Sequence, residues 1–340
     1  MYSFQCDYSE GAHPLIIEKL VQTNYIQMPG YTKDDYTAQA VQLLKDKMNC
    51  QSADIHFLVG GTQTNTIALA AFLRPHQAVI SADTGHVATL ETGAIEATGH
   101  KVITCPSVNG KLTVDYVDKV VKNHKNEHMV MPKVVYISNP TEIGTVYTKE
   151  ELMELSEYCK DHSMYFYIDG ARLGSALVAE DNNMKLSDYP TLCDAFYIGG
   201  TKNGALFGEA LVLLEESVKE EFRYIMKQRG ALMAKGRLLG LQFQALFEND
   251  LFYELADHAN KISVKLRDGI NECGYTFLGH STTNQQFPIL PSTVIEKLEK
   301  EFVFTDWSEF DSEHRVIRLV TSWATKEDEV DRFIAYLKQI

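Results

Sequence analysis

The sequence predicts an α/β protein, with a mostly parallel seven-stranded sheet sandwiched by helices and a smaller α+β unit after it. Three observations carry this reading. Short apolar runs alternate with helical segments between residues 54 and 214, and strands that alternate with helices imply a parallel sheet covered on both faces. The chain has 340 residues, enough for a real core in one large domain or two. Beyond residue 249 a long helix leads into a separate strand-and-helix pattern, which divides the chain into 1–249 and 250–340.

The elements follow in order. Phe4 to Pro14 is polar and turn-rich, and a helix is expected over Pro14–Thr23 with proline in its first turn. Met28-Pro29-Gly30-Tyr31 is a turn, and Asp35–Met48 is amphipathic. The strands are expected at Asp54–Val59, Gln77–Ala82, Lys101–Cys105, Val134–Ser138, Tyr165–Ile168, Ala195–Ile198 and Ala210–Leu214. Thr148-Lys149-Glu150-Glu151 is a capping box. Glu216–Asn249 reads as one long helical connector. The second unit should hold a helix over Leu251–Asn271 and strands at Gln286–Leu290, Phe302–Asp306 and Val316–Trp323. Its helices should be capped at Thr293 and Thr325.

Charge narrows the function. The chain carries 32 Lys and Arg against 46 Asp and Glu, a net charge of −14. That argues against a nucleic-acid or anionic-membrane partner, which would need a basic face. Met1–Gly11 has no basic or apolar targeting pattern, and the near-apolar run Thr66–Leu73 is too short to cross a bilayer. The 6 cysteines are scattered without CxxC spacing, so they are expected to be reduced thiols in a cytoplasmic protein, with no metal site.

In such sheets, ligands bind beyond the C-terminal ends of the strands. Four ends supply chemistry. Gly60-Gly61-Thr62 lies between a strand and a helix, where free N–H groups can hold an anion, although an ordinary αβ turn reads the same way. His86 stands in the turn after Gln77–Ala82, as an acid, a base, a ring-stacking partner or a surface residue. Asp169 closes an apolar strand and needs a cationic or N–H partner. Arg172, three residues on, is either that partner or a substrate-facing cation. Lys202 follows Phe196-Tyr197-Ile198-Gly199-Gly200-Thr201. Taken alone it reads as a solvated turn lysine. Near the core, desolvation would make it an amine nucleophile. An anion cradle, a ring partner, a buried carboxylate and a lysine, in that order, match what pyridoxal 5′-phosphate requires.

These residues resemble the low-specificity L-threonine aldolases, of the aspartate aminotransferase-like fold type I group. The opening R-S-D-T-x-T looks like Gln5-Cys6-Asp7-Tyr8, and S-G-T-x-x-N looks like Gly60-Gly61-Thr62-Gln63-Thr64-Asn65. D-x-x-H followed by E-x-G-A looks like Asp83 to His86, then Glu91, Gly93 and Ala94. H-I-D-G-A-R looks like Tyr167 to Arg172, S-K-G looks like Thr201-Lys202-Asn203, and R-L-V-T-H looks like Arg318 to Ser322. The resemblance implies a cofactor-binding large domain with Lys202 as the Schiff-base lysine. Asp169 would hold the ring nitrogen and His86 would stack on the ring. Gly61, Thr62 and Thr201 would hold the phosphate. Cys6, Tyr31, Arg172 and Arg318 would meet the substrate. It also implies a homodimer or homotetramer with sites at the interface, where Lys235 reaches the partner's phosphate. The reaction implied is retro-aldol cleavage of L-threonine, L-allo-threonine and related β-hydroxy amino acids to glycine and an aldehyde. A β-eliminating lyase is the alternative. Cys6, Gly60, Asn203 and Ser322 depart from the family pattern, and Asn203 is the first place to look for an altered substrate preference.

Overall fold

The computed structural model describes residues 1–340. Seven strands form the central sheet: β1 (Asp54–Leu58), β2 (Gln77–Ala82), β3 (Lys101–Cys105), β4 (Met131–Ser138), β5 (Tyr165–Asp169), β6 (Ala195–Gly199) and β7 (Glu209–Leu213). Their spatial order is β1-β7-β6-β5-β4-β2-β3. Strand β7 pairs antiparallel with both β1 and β6, and every other pair is parallel. Six strands therefore share a direction, and their C-terminal ends meet at one edge together with the start of β7.

The inner strands β5 and β6 are almost wholly apolar because both faces are buried, whereas the edge strand β3 exposes Lys101 and Thr104. Alternate residues go to opposite sides. Val135, Ile137, Phe166, Ile168, Phe196 and Ile198 enter one core, and Val134, Tyr136, Tyr167, Ala195 and Tyr197 enter the other. Each fully buried large apolar side chain contributes about 1.5–3 kcal/mol. The first core is closed by the helices Pro14–Gln22, Asp35–Met48 and Arg237–Glu248, and the second by Gly61–Phe72 and Phe222–Gln228. The capping box at Thr148 forms as expected, with the Glu151 N–H donating to the Thr148 hydroxyl and the Thr148 N–H donating to the Glu151 carboxylate.

The expected connector is not one helix. It breaks into Glu216–Lys219, Phe222–Gln228 and Arg237–Glu248. Gly230 takes a left-handed φ of +71°, which ends the second piece. The loop after it is drawn to Tyr31, whose N–H donates to the Ala234 carbonyl at 3.2 Å.

The C-terminal part has its own antiparallel sheet, built from Thr276–Phe277, Gln285–Gln286, Pro288–Pro291, Thr305–Glu309 and His314–Val320. Its core gathers Ile262, Leu266, Ile317, Leu319 and Phe333. Phe4 joins that core, and Tyr2–Ser3 pairs with Phe302–Val303. The two expected caps there do not form. The helix Ser292–Leu298 starts behind Pro291, which places Thr293 inside its first turn. The Thr325 hydroxyl accepts the Ser322 N–H at 2.8 Å, and Lys326 takes the cap position. No helix is long and apolar enough to cross a membrane.

Candidate active site

A cavity of about 290 Å³ opens at the C-terminal edge of the sheet. Gly60, Gly61, Thr62, His86, Asp169, Arg172, Thr201 and Lys202 all line it. The structure thus brings together residues that lie up to 142 positions apart in sequence (Gly60 to Lys202).

Asp169 ends β5 and is almost wholly buried. Its carboxylate accepts hydrogen bonds from the Tyr136 hydroxyl at 2.7 Å, Asn65 Nδ2 at 2.9 Å and the Ala171 N–H at 3.0 Å. Burial alone would raise its pKa. The His86 ring and the hydrogen bonds from Tyr197, Tyr136 and Asn65 outweigh that and hold it below the usual carboxylate range. Asn65 is itself fixed, since its Oδ1 accepts from the Tyr167 hydroxyl at 2.9 Å and its Nδ2 also donates to Glu91 at 2.7 Å. Glu91 lies 2.8 Å from His86 Nδ1. A carboxylate there keeps the proton on Nδ1 and leaves Nε2 as the acceptor.

Lys202 sits in the turn after β6. Burial lowers its pKa first, and the neighbouring Arg172 lowers it further, against Asp7, Asp169 and Glu209. The turn is closed by the Gly200 and Thr201 N–H groups, which both donate to the Gly208 carbonyl at 2.9 and 3.1 Å. The Gly208 N–H donates back to the Thr201 hydroxyl at 2.9 Å. A Cβ on Gly200 would come within 2.8 Å of the Gly208 carbonyl oxygen, so this close approach requires glycine.

The helix Gly61–Phe72 starts at Gly60 with no side chain capping it. Its first N–H groups therefore face the cavity that Gly60, Gly61 and Thr62 line. A Cβ on Gly60 would touch nothing, so the loss of the family's serine costs the turn no packing.

Arg172 does not pair with Asp169. It forms a bidentate pair with Asp7, Nε to Oδ2 at 2.7 Å and Nη2 to Oδ1 at 3.1 Å. Arg318 has no ion-pair partner. Its Nη2 lies 3.4 Å from Thr305 Oγ1 and 3.5 Å from the Gln5 carbonyl, its guanidinium stands 5.2 Å from the Trp307 ring, and its buried Nε has no partner. Burial, and then Arg172, lower its pKa. Cys6 is half-buried beside Asp7, with Sγ 3.2 Å from Ser9 Oγ, and its neighbour Tyr8 lines the cavity.

Within one chain, Tyr31 and Lys235 do not reach this cavity. Tyr31 borders a different cleft with Arg223 and Lys227, whose amine stands 4.6 Å from the ring. Lys235 is exposed, one residue after the Ala234 carbonyl that holds Tyr31.

Sequence reasoning missed Asn65, Tyr136, Tyr167 and Tyr197 as supports of Asp169. Their signal is a repeat, Tyr136-Ile137-Ser138, Tyr167-Ile168-Asp169 and Tyr197-Ile198-Gly199 at the ends of three adjacent strands. Strand periodicity puts all three tyrosines on one face. Glu209 was also missed, and it lines the cavity at only 4% exposure.

The model of the beta-eliminating lyase family matches residues 29–292. The low-specificity L-threonine aldolase of Pseudomonas aeruginosa is 30% identical over 298 residues, 87% of this chain and 86% of that protein. The one from a Pseudomonas species is 32% identical over 259 residues, 76% of this chain and 75% of that protein. The solved threonine aldolase of Leishmania major superposes with a TM-score of 0.98 at 47% identity, covering 100% of this chain and 99% of that one. Thermus thermophilus aspartate aminotransferase, at TM-score 0.75 and 14% identity, shares the fold. With its matched length and its aldolase relatives, the chain belongs to the beta-eliminating lyase family and, within it, to the low-specificity L-threonine aldolases.

Proposed function

We propose that this protein cleaves L-threonine, L-allo-threonine and related β-hydroxy amino acids between Cα and Cβ, giving glycine and an aldehyde, with pyridoxal 5′-phosphate as cofactor. One observation carries the reading. A lysine whose pKa burial lowers and a buried carboxylate that the His86 ring and its hydrogen bonds hold below the usual range line the same cavity. The donor set fits the cofactor. Lys202 would hold its aldehyde carbon, Asp169 its ring nitrogen, and the N–H groups of Gly61 and Thr62 with the Thr201 hydroxyl its phosphate. When bound, the cofactor supplies a protonated ring that accepts the electrons of the broken bond.

The chain's own residues do the rest. Arg318 would take the substrate carboxylate, because its half-buried guanidinium has only long neutral contacts, to Thr305 and the Gln5 carbonyl. Arg172, fixed by Asp7, adds positive charge without being free to move. His86 Nε2 would accept the β-hydroxyl proton, its ring being fixed by Glu91. The cavity walls exclude water once substrate fills them.

We also propose that Tyr31 and Lys235 serve the site of a partner subunit in a homodimer or homotetramer. They lie together, and away from the cavity of their own chain. The six free cysteines support a reducing, cytoplasmic setting. The units 1–249 and 250–340 remain our domain division, with Tyr2–Phe4 packed on the second.

The test is a product assay. Glycine and acetaldehyde should appear from L-threonine with wild type and vanish with Lys202→Ala. Cofactor-loaded protein that yields pyruvate and ammonia from serine, with no aldehyde from any β-hydroxy amino acid, would overturn the reading in favour of β-elimination.

A further inference from the structure

Glu209 has no role in the chemistry above, yet it lines the same cavity. It is the first residue of β7, and faces Leu58 on β1 and Gly199 on β6. Leu58 leads directly into the cradle of Gly60, Gly61 and Thr62. Gly199 leads into Gly200, Thr201 and Lys202. Glu209 thus stands between the anion cradle and the lysine, on the wall of the same cavity.

Its surroundings suit a neutral acid. The Gly200 N–H donates to Oε2 at 3.1 Å, but the same N–H also serves the Gly208 carbonyl at 2.9 Å. No cation forms an ion pair with it, and one shared N–H with the Thr201 hydroxyl is a poor substitute for the hydration that a carboxylate loses on burial. The flanking elements add little charge. Strand β1 presents Leu58, and the helix Arg237–Glu248 presents Leu239 and Phe243 to the adjoining Gly208. The charged or titratable groups that face it are Lys202 and Asp169, with the phenols of Tyr167 and Tyr197. Burial pushes the Glu209 carboxyl up to about 8, against the opposing pull of Thr201 and Lys202.

We propose that Glu209 is held as a neutral carboxylic acid at the phosphate end of the site and donates its O–H to the cofactor's phosphate. This rests on the cofactor reading above. A carboxylate at that position would repel a phosphate dianion, whereas a protonated one adds a charge-assisted donor to a cradle otherwise built from N–H groups and the Thr201 hydroxyl. Phosphate binding should favour the proton on Glu209 further. Raising the pH through the titration of Glu209 removes the donor and creates repulsion.

The sign is separable from that of Lys202, whose condensation with an aldehyde improves as pH rises. Asp169 is held below the range of interest, and Tyr167 and Tyr197 are pushed well above their ordinary value. The experiment titrates the apoprotein with pyridoxal 5′-phosphate and with pyridoxal from about pH 7 to 9.5. Binding is followed by the absorbance change of the bound aldehyde. Both compounds condense with Lys202, so the ratio of their dissociation constants isolates the phosphate. The preference for the phosphorylated form should fall about tenfold or more across this range in wild type. In Glu209→Gln, an isosteric neutral donor, the preference should persist and be flat with pH. Three results overturn the proposal: a flat ratio in wild type, a pH dependence shared equally by pyridoxal, or a Glu209→Gln ratio that still falls like wild type. The shared dependence would assign Glu209 to proton exchange with Lys202. If Glu209→Gln does not fold, the wild-type ratio alone decides. A wild type that binds neither aldehyde through Lys202 overturns the cofactor reading as well, and is recognised by the same lack of absorbance change in wild type and Lys202→Ala.

Discussion

The Arg172 guanidinium grips the Asp7 carboxylate at two points, 2.7 and 3.1 Å, across 165 residues of sequence. Asp7 also accepts from Asn284 at 2.9 Å, so one buried carboxylate ties the N-terminal segment, the end of the central sheet and the C-terminal part together.

Removing that carboxylate leaves a buried, unpaired arginine. Asp7→Ala should therefore destabilise the fold by about 3–5 kcal/mol, read as a lower midpoint in denaturant. The pH dependence has a defined sign. Burial pushes Asp7 up, but Arg172, Lys202 and the hydrogen bonds bring it below its ordinary value. A depressed carboxyl contributes stability above the unfolded pKa and loses it as pH falls through the folded one. The gap between wild type and Asp7→Ala should shrink from neutral pH to about pH 3, where unfolded carboxyls are mostly protonated. An equal gap at both pH values would show that the ion pair is not the source.

Arg318 is the opposite case, a half-buried cation with no carboxylate partner. Such a group gains most when a carboxylate arrives. Arg318→Ala should raise KM for L-threonine and lower kcat/KM by about 10- to 100-fold. Arg318→Lys should recover part of the loss. An unchanged KM in the alanine variant would remove Arg318 from substrate binding.

Asn203 is a structural tie. Its Nδ2 donates to the Phe252 carbonyl at 2.7 Å, and it is 8% exposed. A Cβ on Gly174 would come within 2.9 Å of that nitrogen, so the amide packs tightly there. It fastens the lysine turn to the helix Leu251–Glu272 and does not line the cavity. Asn203→Gly should cost about 1–3 kcal/mol and leave the relative rates on L-threonine, L-allo-threonine and phenylserine unchanged. A shift in those relative rates would restore Asn203 as a selector of substrate.

How much of this was legible in the sequence depended on how local the cause was. Strand positions came through because burial on both faces demands continuous apolar runs, as in Gln77–Ala82, which is buried throughout and was read to the residue, while the edge strand Lys101–Cys105 was read to the residue although Lys101 and Thr104 are exposed. Lys202, Asp169, His86 and the glycine turn were legible because each ends a strand, and strand ends are periodic features. The partner of Arg172 was not, because Asp7 reaches it through the tertiary fold. The linked carboxylate, amide and imidazole of Asp169, Asn65, Glu91 and His86 were hidden for the same reason. The connector failed differently. Gly230 and the pull of Tyr31 on Ala234 break a segment whose composition favours helix.

Lys235 and Tyr31 give the final prediction. They are joined through Ala234 and stand apart from the cavity of their own chain. If Lys235 serves the partner's site, Lys202→Ala and Lys235→Ala damage opposite halves of one composite site. Each variant alone should be impaired, Lys202→Ala completely. When the two are dissociated together and reassembled, half of the dimers are mixed. In each mixed dimer one site has lost both lysines and the other has kept both, so about a quarter of all sites should be intact. Activity should rise on mixing to about that fraction of wild type. If Lys235 acts within its own chain or not at all, every subunit carries its defect into any assembly. Mixing would then leave activity at the mean of the two variants, and the interface placement of the site would fall with it.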